Sequence, residues 1–147
     1  MSKQAIHSPD APAAIGPYSQ AIRAGDVLWM SGQIPLDPAT MQIVEGGIDA
    51  QAHRVFLNMR AVAQAAGASL DDVVKLTILL ADLADFAKVN EIMATYFTKP
   101  YPARSTYQVA ALPRGAKLEV EAMIALEPAS SSPQTGWREA FDQTKGQ

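Results

Sequence analysis

Two glutamates separated by one residue form the clearest acid–base pair in this sequence. Glu119 and Glu121 lie in the stretch Leu118-Glu119-Val120-Glu121-Ala122, and alternation along a strand would direct both side chains to one face. Paired carboxyl groups can divide acid and base duties when their surroundings separate their pKa values. An exposed strand face, or ion pairs across a subunit contact, would explain the same pattern, so residue type alone leaves the question open.

An arginine follows a proline-bounded loop and is the clearest candidate for binding an anion. Arg104 stands in Pro102-Ala103-Arg104-Ser105, at the predicted start of a strand. A planar guanidinium can hold a carboxylate through two parallel hydrogen bonds. A structural pair with a glutamate is the other interpretation, and composition does not separate the two.

Other reactive side chains give weaker hypotheses. His7 and His53 are the only histidines, too few to suggest a metal site. Lys75 could form a Schiff base, although its ammonium more simply reaches solvent or a carboxylate. The sequence has no cysteine, which excludes disulfides, thiolate metal sites and cysteine nucleophiles. It also lacks a phosphate-binding glycine loop and a G-x-S-x-G nucleophile elbow.

Length and charge narrow the class of protein further. The chain has 147 residues, of which 48% are hydrophobic and 18% charged, as expected for one globular domain. Its net charge of −3 and the absence of a basic run disfavour a nucleic-acid partner. We find neither a secretory signal nor an apolar run near the roughly 18 residues of a membrane span. We therefore predict a cytoplasmic protein with no membrane partner.

Hydrophobic periodicity predicts the elements that must position these residues. Residues 1–17 are predicted to be an extended lead-in, and Asp85 is expected to cap the second helix. Gly67 is expected at the end of the first helix. The predicted elements, in chain order, are strands 19–24 and 27–31, helix 49–66, strand 73–81, helix 86–97, and strands 105–111 and 117–127.

This order, β-β-α-β-α-β-β, predicts an α+β fold in which one mixed sheet carries two helices on one face. Apolar residues on the other face are expected to meet another subunit. Residues 1–127 are predicted to form a single domain. Residues 128–147 are predicted to be a C-terminal extension, either flexible or containing a short docked helix around Trp137 and Phe141.

Several stretches, in order, resemble the RidA family, also called the YjgF/YER057c/UK114 family. The resemblance covers about residues 5 to 127. It rests on these segments: Ala14-Ile15-Gly16-Pro17-Tyr18-Ser19-Gln20, Ser31-Gly32-Gln33-Ile34-Pro35, Asp82-Leu83 through Asp85-Phe86 to Val89-Asn90, and Pro102-Ala103-Arg104-Ser105 through Val109-Ala110-Ala111-Leu112-Pro113 to Leu118-Glu119-Val120-Glu121-Ala122.

The resemblance implies a chorismate-mutase-like fold and a homotrimer with a ligand cleft at each subunit interface. It also implies a 2-iminobutanoate/2-iminopropanoate deaminase. Such an enzyme hydrolyses reactive enamine and imine intermediates, such as 2-aminoacrylate and 2-aminocrotonate, to 2-oxo acids and ammonia. No metal and no cofactor are implied, because a protonated imine is already electrophilic at C2.

Family roles transfer to matching positions of this chain. Arg104 matches the arginine that binds the substrate carboxylate, and Glu119 matches the glutamate that positions water. Tyr18 and Ser31 match cleft residues and are predicted to be catalytic, since either could donate a proton or hold the departing nitrogen. The remaining implied substrate-binding residues are Asn90 on a helix, and Gly32 and Thr106 through their backbone N–H groups. Thr106 stands where members often have cysteine, so a thiol has no part in this chemistry.

Two other functions are compatible with the same residues. A non-catalytic trimeric binder or sensor of small 2-oxo acids would also need Arg104. A ribonuclease or chaperone-like role has been claimed for relatives, but the acidic balance of this chain argues against a specific grip on RNA.

Overall fold

The computed structural model describes residues 2–127, in which six strands and two α-helices are found. The predictions for residues 128–147 lie outside the described residues. None of the described helices has the length and hydrophobicity that a membrane crossing requires. The elements are β1 (Lys3–Ile6), β2 (Ala21–Ala24), β3 (Val27–Gln33), α1 (Ile48–Ala65), β4 (Val73–Leu80), α2 (Phe86–Met93), β5 (Ala103–Gln108) and β6 (Leu118–Ala125).

The strands form one sheet in the order β1-β2-β3-β6-β4-β5. All neighbours are antiparallel except β4 and β5, which are parallel because α2 carries the chain back between them. The predicted α+β class with a mixed sheet is therefore confirmed. The second helix ends at Met93, four residues earlier than predicted, and β5 begins two residues earlier, at Ala103.

The N-terminal segment is the main correction to the predicted order. Lys3–Ile6 belongs to the predicted extended lead-in, but it is a strand that pairs with Ala21–Ala24 at the edge of the sheet. Three of its four side chains are exposed, so no burial periodicity marked it. Asp85 is the N-cap residue of α2 as predicted, but its side chain makes no cap hydrogen bond. Asp82 caps the short 3-10 turn Leu83–Asp85 before α2, where its side chain accepts from the N–H of Ala84.

Both helices pack on one face of the sheet, and the core lies between them. The predicted stripe of α1 is buried at Val55, Met59 and Val62, and α2 contributes Val89 and Met93. The first helix ends in a Schellman motif, in which Gly67 adopts a φ of 77°. The central strands supply the facing residues, among them Leu28, Leu76, Ile78, Leu80, Leu118, Val120 and Ile124.

The strand β6 shows how the sheet separates its two faces. Alternate side chains from Leu118 to Ile124 are buried under the helices, whereas Glu119 and Glu121 point to the other, open face. No helix of the described chain covers this open face. Trp29 and Tyr107 are 51% and 57% exposed there, so the face keeps the apolar character expected of a contact surface.

Candidate functional site

A pocket of about 570 Å³ lies beside β3 and β6. Four of the predicted site residues line it, namely Tyr18, Ser31, Gly32 and Glu119, and Glu121 joins them. Its walls also contain apolar residues, Pro12, Ile15, Ile34, Leu36 and Pro113. We call it the glutamate pocket. A mostly apolar cavity with a few convergent polar groups is typical of small-molecule sites.

The glutamate pocket depends on a glycine that lets a carboxyl group approach the backbone. Pairing between β3 and β6 is irregular between Met30 and Gln33, and Gly32 lies in this interval. A Cβ atom on Gly32 would lie 2.8 Å from Cδ of Glu119 and still closer to its Oε1. The side chain of Glu119 therefore occupies the space that any other residue at position 32 would fill.

The surroundings of Glu119 change its acidity. Burial raises the pKa of the Glu119 carboxyl above its usual range, and the nearby charge of Glu121 adds to the increase. Both causes disfavour the ionised form. A carboxyl group with a raised pKa can exchange a proton nearer neutral pH than a free glutamate does, as acid–base catalysis requires.

Hydrogen bonds restrict what Ser31 can do. Its Oγ donates to the carbonyl of Ser19 at 2.5 Å, and its N–H donates to the carbonyl of Gln20 at 3.0 Å. The hydroxyl proton is therefore engaged with the backbone, and Ser31 faces a ligand as a hydrogen-bond acceptor. Tyr18 is 50% exposed, so its ring remains accessible to a ligand in the pocket.

A buried glutamine that sequence reasoning did not single out builds one wall of the pocket. Oε1 of Gln20 accepts from the N–H of Ser8 at 2.6 Å, and Nε2 donates to the carbonyls of Ser8 at 3.1 Å and Pro12 at 2.9 Å. These bonds hold residues 8–12 against the sheet. Gln20 lies in one of the segments that resemble the family, but the sequence does not reveal its role, which depends on hydrogen bonds formed only in the folded chain.

Arg114 is a second residue that the sequence did not suggest. Its Nη1 donates to the carbonyl of Met41 at 2.6 Å, which joins two loops at the border of the glutamate pocket. Both residues have a φ of 57°, a left-handed conformation that is uncommon outside glycine. The hydrogen bond between Arg114 and Met41 therefore holds a strained part of the pocket's rim in place.

Arg104 lines a different pocket, of about 440 Å³, beside α2. We call it the arginine pocket. Nη1 of Arg104 donates to Oδ1 of Asn90 and lies 3.6 Å from Sδ of Met93. The guanidinium lies 5.2 Å from the ring centre of Phe86. The cation–π contact and the hydrogen bond to the Asn90 amide oxygen fix the orientation of the exposed guanidinium, and its other N–H donors remain free for a carboxylate.

The two pockets lie on opposite faces of the sheet. Arg104 pairs with Leu76, whose side chain is in the core beneath the helices. Glu119 pairs with Leu79 on β4. Leu79 lies three residues after Leu76, so the side chain of Glu119 points to the opposite, open face. The structure therefore brings Tyr18, Ser31, Gly32 and Glu119 together, and separately Arg104 with Asn90. It does not bring Arg104 to Glu119 within one chain.

Thr106 lies on the same side of β5 as Arg104, because it pairs with Ile78. Its hydroxyl is buried without a hydrogen-bond partner. The N–H of Val109 donates to the carbonyl of Leu80 at 2.9 Å. Alternation in a parallel pair then directs the N–H groups of Arg104 and Thr106 to the free edge of β5, where they can meet a ligand or another chain.

Within residues 2–127, no three histidine, aspartate or glutamate side chains come together as metal ligands would. His53 instead contacts the hydroxyl of Tyr96 at 2.8 Å, on the helical side of the molecule.

Comparisons with known proteins identify the family. The family model described as Endoribonuclease L-PSP, which corresponds to the RidA/YjgF family, matches residues 8–126. The chain belongs to this family. A Myxococcus xanthus relative named Protein DfrA is 56% identical over 125 residues, covering 84% of this chain and 95% of that protein. Mouse 2-iminobutanoate/2-iminopropanoate deaminase is 48% identical over 126 residues, covering 86% and 93%.

Solved structures agree with this assignment and with the chorismate-mutase-like fold. RidA from the Antarctic bacterium Psychrobacter sp. PAMC 21119 has a TM-score of 0.81 and 48% identity, covering 84% of this chain and 99% of that one. TdcF from E. coli, whose structure contains bound serine, has a TM-score of 0.80 and 40% identity, covering 84% and 99%.

Proposed function

We propose that this RidA-family protein is a 2-iminobutanoate/2-iminopropanoate deaminase, which hydrolyses reactive enamine and imine intermediates to 2-oxo acids and ammonia. The observation that carries the proposal is the position of the Glu119 carboxyl group, which lies against Gly32 in a pocket suited to a small molecule, where burial raises its pKa. The names of curated relatives support an enzyme of the deaminase class. We also predict a cytoplasmic location.

The proposed reaction uses the side chains of Arg104 and Glu119. Arg104 binds the substrate carboxylate and orients C2 of the protonated imine, which lowers the entropic part of the barrier. Glu119 takes a proton from water as the water oxygen bonds to C2, giving a carbinolamine. Proton return to nitrogen and cleavage of the C–N bond then release ammonia and leave the 2-oxo acid. These steps balance without an oxidant or a cofactor.

The separation of the two pockets supports a site that is shared between two copies of the chain. Because Arg104 and Glu119 lie on opposite faces, we propose that each active site combines the glutamate pocket of one subunit with the arginine pocket of another, in the expected homotrimer. The exposed Trp29 and Tyr107 on the open face support such a contact. The free backbone edge of β5 would lie near the same interface.

A direct assay tests the function. A dehydratase generates 2-aminoacrylate, and its decay is followed with and without the protein. We expect the wild type to accelerate the decay and Arg104→Ala to lose that acceleration. Arg23→Ala, which removes an arginine that lines neither pocket, should behave as wild type. An inactive wild type, or an Arg104→Ala variant of equal activity, would show that the assignment is wrong.

The same assay addresses the alternative of a binder without turnover. A binder would hold 2-oxobutanoate through Arg104 but leave the decay of 2-aminoacrylate unchanged. Wild-type binding without any acceleration of decay would therefore favour the sensor over the enzyme.

A further inference from the structure

Glu121 is a carboxylate of the glutamate pocket that the proposed reaction leaves without a role. It follows Glu119 by two residues on β6, so both point to the open face, and it pairs across the ladder with Thr77. Its side chain is exposed and lines the pocket. Both ion pairs found in residues 2–127 are formed by Lys88, so Glu121 is not held in a salt bridge there.

The charges around the pocket favour a positive group. Glu119 and Glu121 both line it, and Arg114 is the one cationic residue among the described lining residues. A guanidinium nitrogen of Arg114 is already engaged with the carbonyl of Met41. The pocket therefore presents more acidic than basic side chains to a ligand, and complementary charge is a common source of specificity.

A protonated imino acid carries charge at both ends. If Arg104 of a neighbouring subunit binds the carboxylate, as the proposed function requires, the cationic nitrogen is left to face the glutamate pocket. Glu119 must take up a proton from water during the reaction, and a protonated carboxyl no longer balances a positive charge. A second carboxylate can then hold the nitrogen in the two states in which it is cationic: when the substrate binds, and when the carbinolamine nitrogen has been protonated before it leaves.

We propose that Glu121 binds the positively charged nitrogen of the ligand, while Glu119 exchanges the proton of the attacking water. This inference rests on the proposed function of the same site. It makes Glu121 a specificity residue that favours ligands with a cationic nitrogen over the neutral 2-oxo product. Loss of the positive charge on conversion to the 2-oxo acid then weakens binding and assists product release.

Two non-reacting ligands with the same carbon chain test the inference. Calorimetry measures the Kd of 2-aminobutanoate, which carries an ammonium, and of 2-hydroxybutanoate, which carries a neutral hydroxyl. We expect the wild type to prefer 2-aminobutanoate. Glu121→Gln should weaken its binding about tenfold and change 2-hydroxybutanoate less than about twofold, because only the charge-assisted contact is lost.

Matched variants separate this role from a structural one. Glu127→Gln removes an exposed carboxylate that does not line the pocket and should leave both Kd values unchanged. Glu121→Asp keeps the charge and should retain part of the preference. A wild type without preference for 2-aminobutanoate, or an equal effect of Glu121→Gln on both ligands, would overturn the inference.

The outcome is distinct from that of the decay assay. Ammonium selectivity that depends on Glu121 in a protein that fails to accelerate imine decay would remove the deaminase but keep the nitrogen site. Rapid imine decay with an unselective pocket would keep the deaminase and remove the role of Glu121.

Discussion

The glutamate pocket and the arginine pocket differ in how their reactive groups are held. In the glutamate pocket the backbone does the positioning, because Glu119 lies against Gly32 in an irregular stretch of β3. In the arginine pocket, side chains position the reactive group, because Asn90 and Phe86 of α2 contact the guanidinium of Arg104. The first pocket should therefore tolerate almost no change of shape, whereas the second should tolerate conservative replacement.

The two pockets also divide the chemistry between them. In the proposed reaction, one supplies the carboxyl group that exchanges a proton and the other supplies the cation that binds the substrate carboxylate, and they occupy opposite faces of one sheet. Neither pocket contains both Arg104 and Glu119. The proposed reaction therefore needs a functional unit larger than one chain.

The largest effect is expected at the catalytic carboxyl group. Glu119→Gln should lower kcat by about 10²- to 10⁴-fold, because an amide cannot accept the proton of water. Binding of 2-oxobutanoate should persist, since the carboxylate is held at Arg104. Steady-state kinetics and calorimetry on the same sample check both halves, and unchanged kcat would remove Glu119 from the mechanism.

A smaller effect is expected from one added methyl group. Gly32→Ala places a carbon where the Glu119 carboxyl now lies, and an error of about 1 Å in a reacting group can cost about a hundredfold in kcat. Gly47→Ala is the matched control, because nothing lies within 4 Å of its added carbon. Equal activity of the two variants would contradict the close approach.

The smallest effect is expected on the pH dependence of kcat/KM. Glu119 acts as a base only when ionised, so kcat/KM should rise with pH through its raised pKa, above the value of about 4.3 for a free glutamate. Glu121→Gln should move this limb to lower pH only in part, because burial remains the larger cause. A limb at the free-glutamate position, unmoved by the substitution, would contradict the assignment.

The same shift predicts a dependence of stability on pH. A carboxyl group whose pKa is raised on folding favours the folded state below its unfolded pKa, and this contribution is lost as pH rises through the folded pKa. Glu119→Gln should therefore have a higher Tm than wild type near neutral pH, with the difference disappearing in acid. Thermal unfolding at both pH values measures it.

Some of this arrangement could be predicted from the sequence. Alternation from Leu118 to Leu126 placed Glu119 and Glu121 on one face, and the structure confirms it because strand parity is a local property. The relative positions of Arg104 and Glu119 were not predictable from parity alone. They depend on the parallel register of β4 and β5, which pairs Arg104 with buried Leu76.

Other features needed contacts between distant parts of the chain. The strand Lys3–Ile6 is too exposed to show a burial pattern, and only its pairing with β2 defines it. The roles of Gln20 and Arg114 arise from hydrogen bonds to segments 8–12 and to Met41. Family resemblance supplied the roles of Tyr18, Asn90 and Thr106, which remain predictions that binding experiments must test.

Mixing two inactive variants tests most directly whether one site needs two chains. Arg104→Ala and Glu119→Gln are each expected to be inactive, but subunits of the two variants combined in one oligomer can place an intact Arg104 opposite an intact Glu119. Random assembly should restore about a quarter of the wild-type sites. Co-assembly of wild type with the Arg104→Ala/Glu119→Gln double variant controls for exchange of subunits. Recovery of imine decay in the mixture is the predicted result, and inactive mixed oligomers would contradict a site shared between subunits.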